Sequence, residues 1–335
     1  MLFDNYFIKD LVLKNRIVLS PMCQYKACDN SGEINEWHKV HLLSRAIGGA
    51  GLIFTEMTNI EPNGRITEQC LGLYNEKQMK KFKSLITEIH SYDAKVGIQL
   101  AHAGRKSKIE NSDIVSASSI PFSEEYKTPR ELNVEEIHDI IEKFKYSAEL
   151  AVEAGFDTIE IHAAHGYLLH QFISRSSNKR KDEYANPTRL TVEVIRAIKS
   201  VIPKDMPLFL RISAVEYNTP PGYSFEEMLD YCNEFIEAGV DVLDVSTGAN
   251  SPDKPEVYPG YQAKYAIDLA DRLNVSVMSV GQLDSPELAE YLLRDTGINL
   301  ICIGKGMLKE PYWAKKASIQ LGEEHKLPGV YEMGF

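Results

Sequence analysis

The chain has 335 residues and five cysteines, with no CxxC pair among them. Cys23, Cys28, Cys70, Cys232 and Cys302 are scattered and odd in number. That pattern gives neither a disulfide framework nor the ligand spacing of a zinc or iron–sulfur site, so most are expected to be buried thiols and no metal is expected. No run of about 18 apolar residues occurs, and the start, Met1-Leu2-Phe3-Asp4-Asn5-Tyr6, has neither a basic region nor a long apolar one. No membrane span or secretory leader is expected, and the reading is a cytoplasmic protein. Positive charge is in deficit: 37 Lys and Arg face 48 Asp and Glu, for a net −11 and a pI near 5.4. Nucleic acid and membrane are thus not expected as partners, although a local basic pocket for one phosphate is compatible with the balance. No strand-like run leads into a GxGxxG turn, and no low-complexity tract or linker divides the chain.

What is present is alternation. Short runs rich in β-branched residues fall at 16–20, 51–56, 95–100, 157–162, 208–213, 240–245, 275–280 and 299–304. They read as strands buried on two faces. Longer amphipathic stretches separate them, such as 134–153, whose apolar stripe is Val134, Ile137, Ile141, Phe144, Ala148 and Ala151. Asp284-Ser285-Pro286-Glu287 marks a helix start, with Pro just inside the first turn. Eight such units predict an α/β fold, a (β/α)8 TIM barrel spanning 1–335 as one domain. The open doubly wound sheet is the alternative for the same pattern, and the missing glycine turn argues against it. Segments 23–37, 104–133, 174–188 and 248–262 are long for βα connections and are expected to follow strands as substrate lids.

In a parallel barrel the chemistry sits where strands end. Strand 1 ends in Ser20-Pro21-Met22-Cys23-Gln24-Tyr25, strand 3 reaches Gln99 and His102, strand 4 delivers His162, His165 and Tyr167, and strand 5 carries Arg211. Gly281 and Gly304-Lys305-Gly306 follow strands 7 and 8, where barrels commonly hold a phosphate on backbone N–H groups. His162 and His165 are close enough to be zinc ligands, yet no carboxylate or cysteine completes a set, and neutral imidazoles that donate to a carbonyl or oxyanion need no metal. Arg211 in an apolar strand needs an anion. A salt bridge to Asp244 or Glu160 would satisfy it, and so would a ring that develops negative charge beside Gln99.

Together these residues resemble the Old Yellow Enzyme family of flavin-dependent ene-reductases, in its shorter bacterial branch with a cysteine beside the flavin. The resemblance covers nearly the whole chain. It is carried by Lys14-Asn15-Arg16-Ile17, Ser20 to Tyr25, Gly64-Arg65-Ile66-Thr67, Gln99-Leu100-Ala101-His102-Ala103-Gly104-Arg105-Lys106, and Glu160-Ile161-His162-Ala163-Ala164-His165-Gly166-Tyr167-Leu168. It implies non-covalent FMN over the barrel mouth, reduced by NADPH or NADH and reoxidised by an α,β-unsaturated carbonyl compound, with nitroalkenes and quinones as further acceptors. By the same resemblance, Ser20, Pro21, Met22, Cys23 and Met57 (after strand 2) line the isoalloxazine. Gln99 and Arg211 meet its pyrimidine edge, and Gly281, Gly304 and Lys305 take the phosphate. His162 and His165 hold the substrate carbonyl, Tyr25 positions the substrate, and Tyr167 protonates the α-carbon after hydride from flavin N5 reaches the β-carbon. The assembly expected is a homodimer or homotetramer.

The chain departs from the family pattern at four places. Ser174-Arg175 replaces Ser-Pro and adds a charge to the active-site loop, 185–189 is shortened, Lys305 stands for Arg, and Met333 stands for the Arg of the tail. Lysine is a point charge without a bidentate fork. Competing readings are an enoate or amine dehydrogenase barrel, whose iron–sulfur cysteines are missing here, a flavin-free barrel lyase or aldolase, for which Lys106 is the tempting lysine, and a non-catalytic flavin-binding protein.

Overall fold

Strands that are apolar on both faces must be covered on both, and a closed parallel barrel inside a ring of helices does this without leaving an edge. The computed structural model, which describes residues 1–28 and 30–335, has that architecture. Its barrel strands are β1 (Ile17–Leu19), β2 (Leu52–Asn59), β3 (Lys95–Ala101), β4 (Thr158–Ala163), β5 (Leu208–Ser213), β6 (Val242–Ser246), β7 (Ser276–Val280) and β8 (Leu300–Ile303). All pair in parallel in sequential order, and β8 closes on β1. The following helices are α1 (Glu36–Ile47), α2 (Glu76–His90), α3 (Val134–Ala154), α4 (Arg189–Lys199), α5 (Phe225–Ala238), α6 (Ala263–Arg272), α7 (Pro286–Asp295) and α8 (Trp313–Leu321). Local chemistry sets their starts. Asn133 and Ser224 close capping boxes on α3 and α5, and Ser285 caps α7 ahead of Pro286. Among the described residues no helix is long and apolar enough to cross a membrane.

The inward residues form layers because side chains alternate along each strand. A lower apolar layer contains Val18, Phe54, Phe209, Val242, Met278, Leu300 and Cys302. Beneath it a short antiparallel hairpin, Tyr6–Ile8 with Leu11–Leu13, contributes Leu11 and Leu13 to the same cluster. Two residues further along the strands, the layer turns polar with Gln99, Glu160, Arg211 and Asp244, all buried. Strand β2 runs three residues beyond the expected end, so Met57 lies within the strand and not after it. Its register against β3 shifts from Phe54↔Gly97 to Met57↔Gln99. The extra residue of this bulge brings Met57, and not Glu56, beside Gln99.

Two loop expectations change. Segment 174–188 follows a short helix, Leu168–Ile173, and not a strand. It is a clasp and not a lid: Arg180 is buried and donates to the carbonyls of Ala117 and Leu132, and Asn178 donates to those of Phe172 and Tyr184. Within it Arg175 points to the outer surface, paired with Glu227 of α5 at 2.7 Å, so it adds no charge to the barrel mouth. The shortened 185–189 stretch closes a 3-10 turn, Glu183–Ala185, and leads directly into α4.

His102, a strand-end candidate, is turned away from the mouth. Its Nε2 meets Glu61 Oε1 at 2.8 Å, and Lys143 of α3 donates to the other Glu61 oxygen at 2.7 Å. Burial pushes the Glu61 carboxyl up, but hydrogen bonds from His102 and Lys143 outweigh it and hold the pKa at about 2, against an ordinary 4.5. A depressed pKa means that the carboxylate stabilises the fold above pH 4.5 and that this contribution fades as the pH falls toward 2. Glu61→Gln should cost about 2–3 kcal/mol at neutral pH and flatten the acid limb of the stability profile. Urea unfolding at a series of pH values reads this directly, and a profile parallel to wild type would count against the assignment.

Candidate active site

At the C-terminal ends of the strands lies a cavity of about 530 Å³, within the roughly 300–1,000 Å³ of small-molecule and cofactor sites. Ser20, Pro21, Met22, Cys23, Met57, Gln99, His162, His165, Tyr167, Arg211, Gly281, Gly304 and Lys305 all line it. Tyr25 is not among the lining residues. It is 44% exposed, and burial together with the Cys23 thiol pushes its phenol up. An outer cavity of about 940 Å³ shares His165, Ser246, Tyr261 and Gln262 with the first and extends between segments 122–126 and 249–255.

One end of the inner cavity has a polar floor. Gln99 Nε2 donates to Glu160 Oε1 at 2.7 Å, and Arg211 Nε lies 3.1 Å from Asp244 Oδ2. Arg211 is thus paired with Asp244 from below, the first of its two sequence readings, and lines the cavity above. The other end is backbone. Gly281 adopts φ +125°, and a side chain there would strike Gln262 Nε2 at 2.9 Å. The loops after β7 and β8 approach so closely that a Cβ on Gly306 would lie 2.6 Å from that of Asp284. Lys305 stands exposed at this end. Between the two ends, Cys23 packs with Met57 and Tyr167. Burial and the nearby Glu56 push its thiol up, so it stays protonated. Glu56 itself accepts from the Gln24 N–H at 2.9 Å, which anchors this loop.

The turn after β4 carries the second face. His165 has φ +56°, a strained value for a non-glycine residue, and it is held by its N–H to Ser213 Oγ (3.0 Å) and by Lys106 Nζ on its carbonyl (2.9 Å). His162 Nδ1 accepts from the Ala164 N–H at 3.2 Å, so the neutral ring carries its proton on Nε2. Burial and the Arg211 charge push both imidazoles well below the ordinary histidine value, which keeps them neutral. His165 Nε2 meets Ser246 Oγ at 2.7 Å, and Ser246 reaches Gln262 Oε1 at 3.1 Å. If the serine proton turns to His165, the proton of that ring moves to Nδ1. If it turns to Gln262, His165 Nε2–H donates to the serine. Tyr167 stands edge-on to His162 with ring centroids 4.9 Å apart, and burial pushes its phenol well up. Lys106 Nζ lies 5.1 Å from the same ring, bonded to two carbonyls, with burial lowering its pKa to about 8.

A family model for NADH:flavin oxidoreductases / NADH oxidases matches residues 1–324. The chain belongs to this family. NADH:flavin oxidoreductase relatives named NADPH dehydrogenase are 41% identical over 339 residues in Geobacillus sp. strain WCH70, covering 100% of this chain and 98% of that protein. The Bacillus subtilis strain 168 protein of the same name is 41% identical over 338 residues, covering 100% and 99%. Among solved structures, morphinone reductase aligns with a TM-score of 0.82 at 23% identity, over 98% of this chain and 92% of that one. A complex of 2-naphthoyl-CoA reductase aligns at 0.88 and 22% identity, over 96% of this chain but 52% of its own length. These two support the barrel. The family and its relatives make the protein an NAD(P)H-dependent flavin oxidoreductase of the Old Yellow Enzyme type that uses FMN.

The residues present suit that cofactor, with a buried guanidinium and amide at one end of the cavity, a close-packed glycine cradle with a lysine at the other, and a thiol and thioethers between. Sequence reasoning passed over Ser246, Tyr261 and Gln262, which complete the wall. The signal for Ser246 was its position one residue past the expected end of strand 6. Lys305→Arg should tighten FMN by roughly fivefold, since a fork makes two bonds where an ammonium makes one. Titration of the apoprotein with FMN measures it, and an unchanged or weaker dissociation constant would refute the phosphate assignment.

Proposed function

We propose that this NADH:flavin oxidoreductase reduces the C=C bond of α,β-unsaturated carbonyl compounds. When bound, FMN would supply the hydride chemistry, with NADPH or NADH as its reductant and the substrate β-carbon as the hydride's destination. The polypeptide does the rest. Gln99 and Arg211 hold the polar edge of the cofactor, and the backbone at Gly281 and Gly304 with Lys305 holds its phosphate. His162 donates Nε2–H to the substrate carbonyl oxygen. His165 adds a second donor through the ring nitrogen that Ser246 leaves free when the serine proton turns toward it. Polarised in this way, the carbonyl accepts the negative charge that develops as the alkene is reduced. Tyr167, whose phenol burial keeps protonated, then gives a proton to the α-carbon, while Cys23 lines the pocket beside it.

The observation that carries this reading is the pairing of a neutral His162, its tautomer fixed by the Ala164 N–H, with a protonated phenol 4.9 Å away across one cavity wall. A donor and an acid at that spacing suit an oxygen and a carbon of one conjugated substrate. NADPH oxidation should be stimulated by a panel of enones, enals, nitroalkenes and quinones, and the enone should emerge as the saturated ketone. An allylic alcohol as product, or turnover with quinones and oxygen alone, would overturn the proposal. The same proposal treats residues 1–335 as one FMN-binding unit, supported by a core running from Leu2 to Ala317. It also places the protein in the cytoplasm, in keeping with the net charge of −11. A homodimer or homotetramer is proposed from the likeness of the tail to the family ending. In this chain Met333 of that tail is 88% exposed and cannot make the polar contact of an arginine.

A further inference from the structure

Two carboxyls and one guanidinium are buried together beneath the cavity. Glu160 and Asp244 are fully buried, and Arg211 is 5% exposed. The pairing register puts Arg211 directly beside Asp244, and Gln99 directly beside Glu160. Glu160 Oε1 accepts from Gln99, but Glu160 Oε2 and both Asp244 oxygens find no hydrogen-bond donor among the described residues. The 3.1 Å approach of Arg211 Nε to Asp244 lacks hydrogen-bond alignment. The two carboxyls lie within hydrogen-bond reach of one another. Two carboxylates cannot both stay ionised at that range in a buried site. One proton between them would supply the missing donor and leave a single negative charge against a single positive one.

We propose that Glu160 carries this proton and donates it to Asp244, and that the resulting pair sets the net charge felt by the flavin through Arg211. Glu160 is the member further from the guanidinium in the pairing order, because β5 with Arg211 lies between β4 and β6 and its register partner there is Asp244. The shift directions agree, as burial pushes both carboxyls up and Arg211 opposes the rise at both, while the Asp244 charge and the shared hydrogen bond raise Glu160 further and that same bond lowers Asp244. With Glu160 neutral, the floor is balanced and does not oppose negative charge on the reduced cofactor. With both ionised, it would carry a net negative charge under the ring and would disfavour reduction. Glu160 and Asp244 are thus positioning residues that act through Arg211. The inference rests on the placing of the cofactor's polar edge over Arg211.

Infrared spectroscopy of the FMN-loaded protein tests the proton independently of that placing. A protonated-carboxyl band should be present at neutral pH, should shift when glutamate is ¹³C-labelled and not when aspartate is, and should vanish in Glu160→Gln. Absence of the band, or a band that answers to the aspartate label, would overturn the assignment. The charge is tested by the flavin reduction potential. Glu160→Gln should leave it unmoved, because glutamine mimics the neutral acid. Asp244→Asn in the Glu160→Gln background, where Glu160 cannot ionise instead, should raise it, binding reduced flavin about tenfold more tightly relative to oxidised flavin, or ~30 mV for a two-electron couple. A rise already complete in Glu160→Gln would show that Glu160 was an anion. A potential unmoved in the double variant would show that the pair does not act on the flavin. Wild-type labelling keeps the first test open if either variant fails to fold.

Discussion

Replacing His162 by Ala is expected to slow reoxidation of the reduced enzyme by an enone by roughly 100- to 1,000-fold, the scale of one lost oxyanion donor. The Nε2–H that the Ala164 contact fixes on this ring is the donor that stays available whichever way the Ser246 proton turns. Phenols, whose oxygen resembles the developing enolate, should bind correspondingly more weakly. Reduction of the flavin by NADPH should change little, because the hydride donor presents no carbonyl that must gather charge. His165→Ala should have a smaller effect, since that ring already has Ser246 as a partner. Both imidazoles are held well below the ordinary histidine value by burial and by Arg211. The enone step should therefore show no histidine titration between about pH 6 and 8. Normal phenol binding together with normal reoxidation in His162→Ala would remove His162 from the substrate site.

Tyr167→Phe keeps the ring that packs edge-on to His162 and removes only the acid. Reoxidation by an enone should fall by roughly 100-fold or more, the usual scale for a lost general acid. Nitroalkenes should lose less, because the nitronate they form is stable enough to leave unprotonated. Burial pushes the Tyr167 phenol well up, and Cys23 and Tyr25 add to that shift. If the variant reduces enones at the wild-type rate, the proton comes from elsewhere, with Tyr25 or water the first places to look. Stopped-flow traces of the two half-reactions separate these outcomes, since only the oxidative half should respond.

Much of this was legible in the sequence because barrel strands are buried on both faces and stand out as β-branched runs. The eight runs match the eight strands to within a few residues, as at 208–213, where the bounds coincide. The bulge at Phe54–Met57 was not legible, because a single added residue leaves no mark in composition, yet it decides whether Glu56 or Met57 faces Gln99. The hairpin under the barrel escaped because three-residue strands carry too short a period to register. In the site, polar residues inside apolar strands betrayed Gln99, His162 and Arg211. The location of Tyr25 outside the cavity wall depends on a loop conformation, φ +52° at that residue, that its neighbours in sequence do not dictate. Segment 174–188 was misread as a lid because its length alone does not reveal that Arg180 and Asn178 spend their donors on interior carbonyls.

In the proposed reaction one cavity wall, His162 with Tyr167, presents a conjugated carbonyl to the cofactor for reduction of its C=C bond. The most direct test is a single turnover. Protein reduced anaerobically with NADPH is mixed with cyclohexenone, the flavin absorbance is followed, and the products are counted. Full return of the oxidised flavin spectrum is expected, with one cyclohexanone formed per flavin. A flavin that stays reduced in the presence of the enone, and reoxidises only when oxygen or a quinone is admitted, would contradict it.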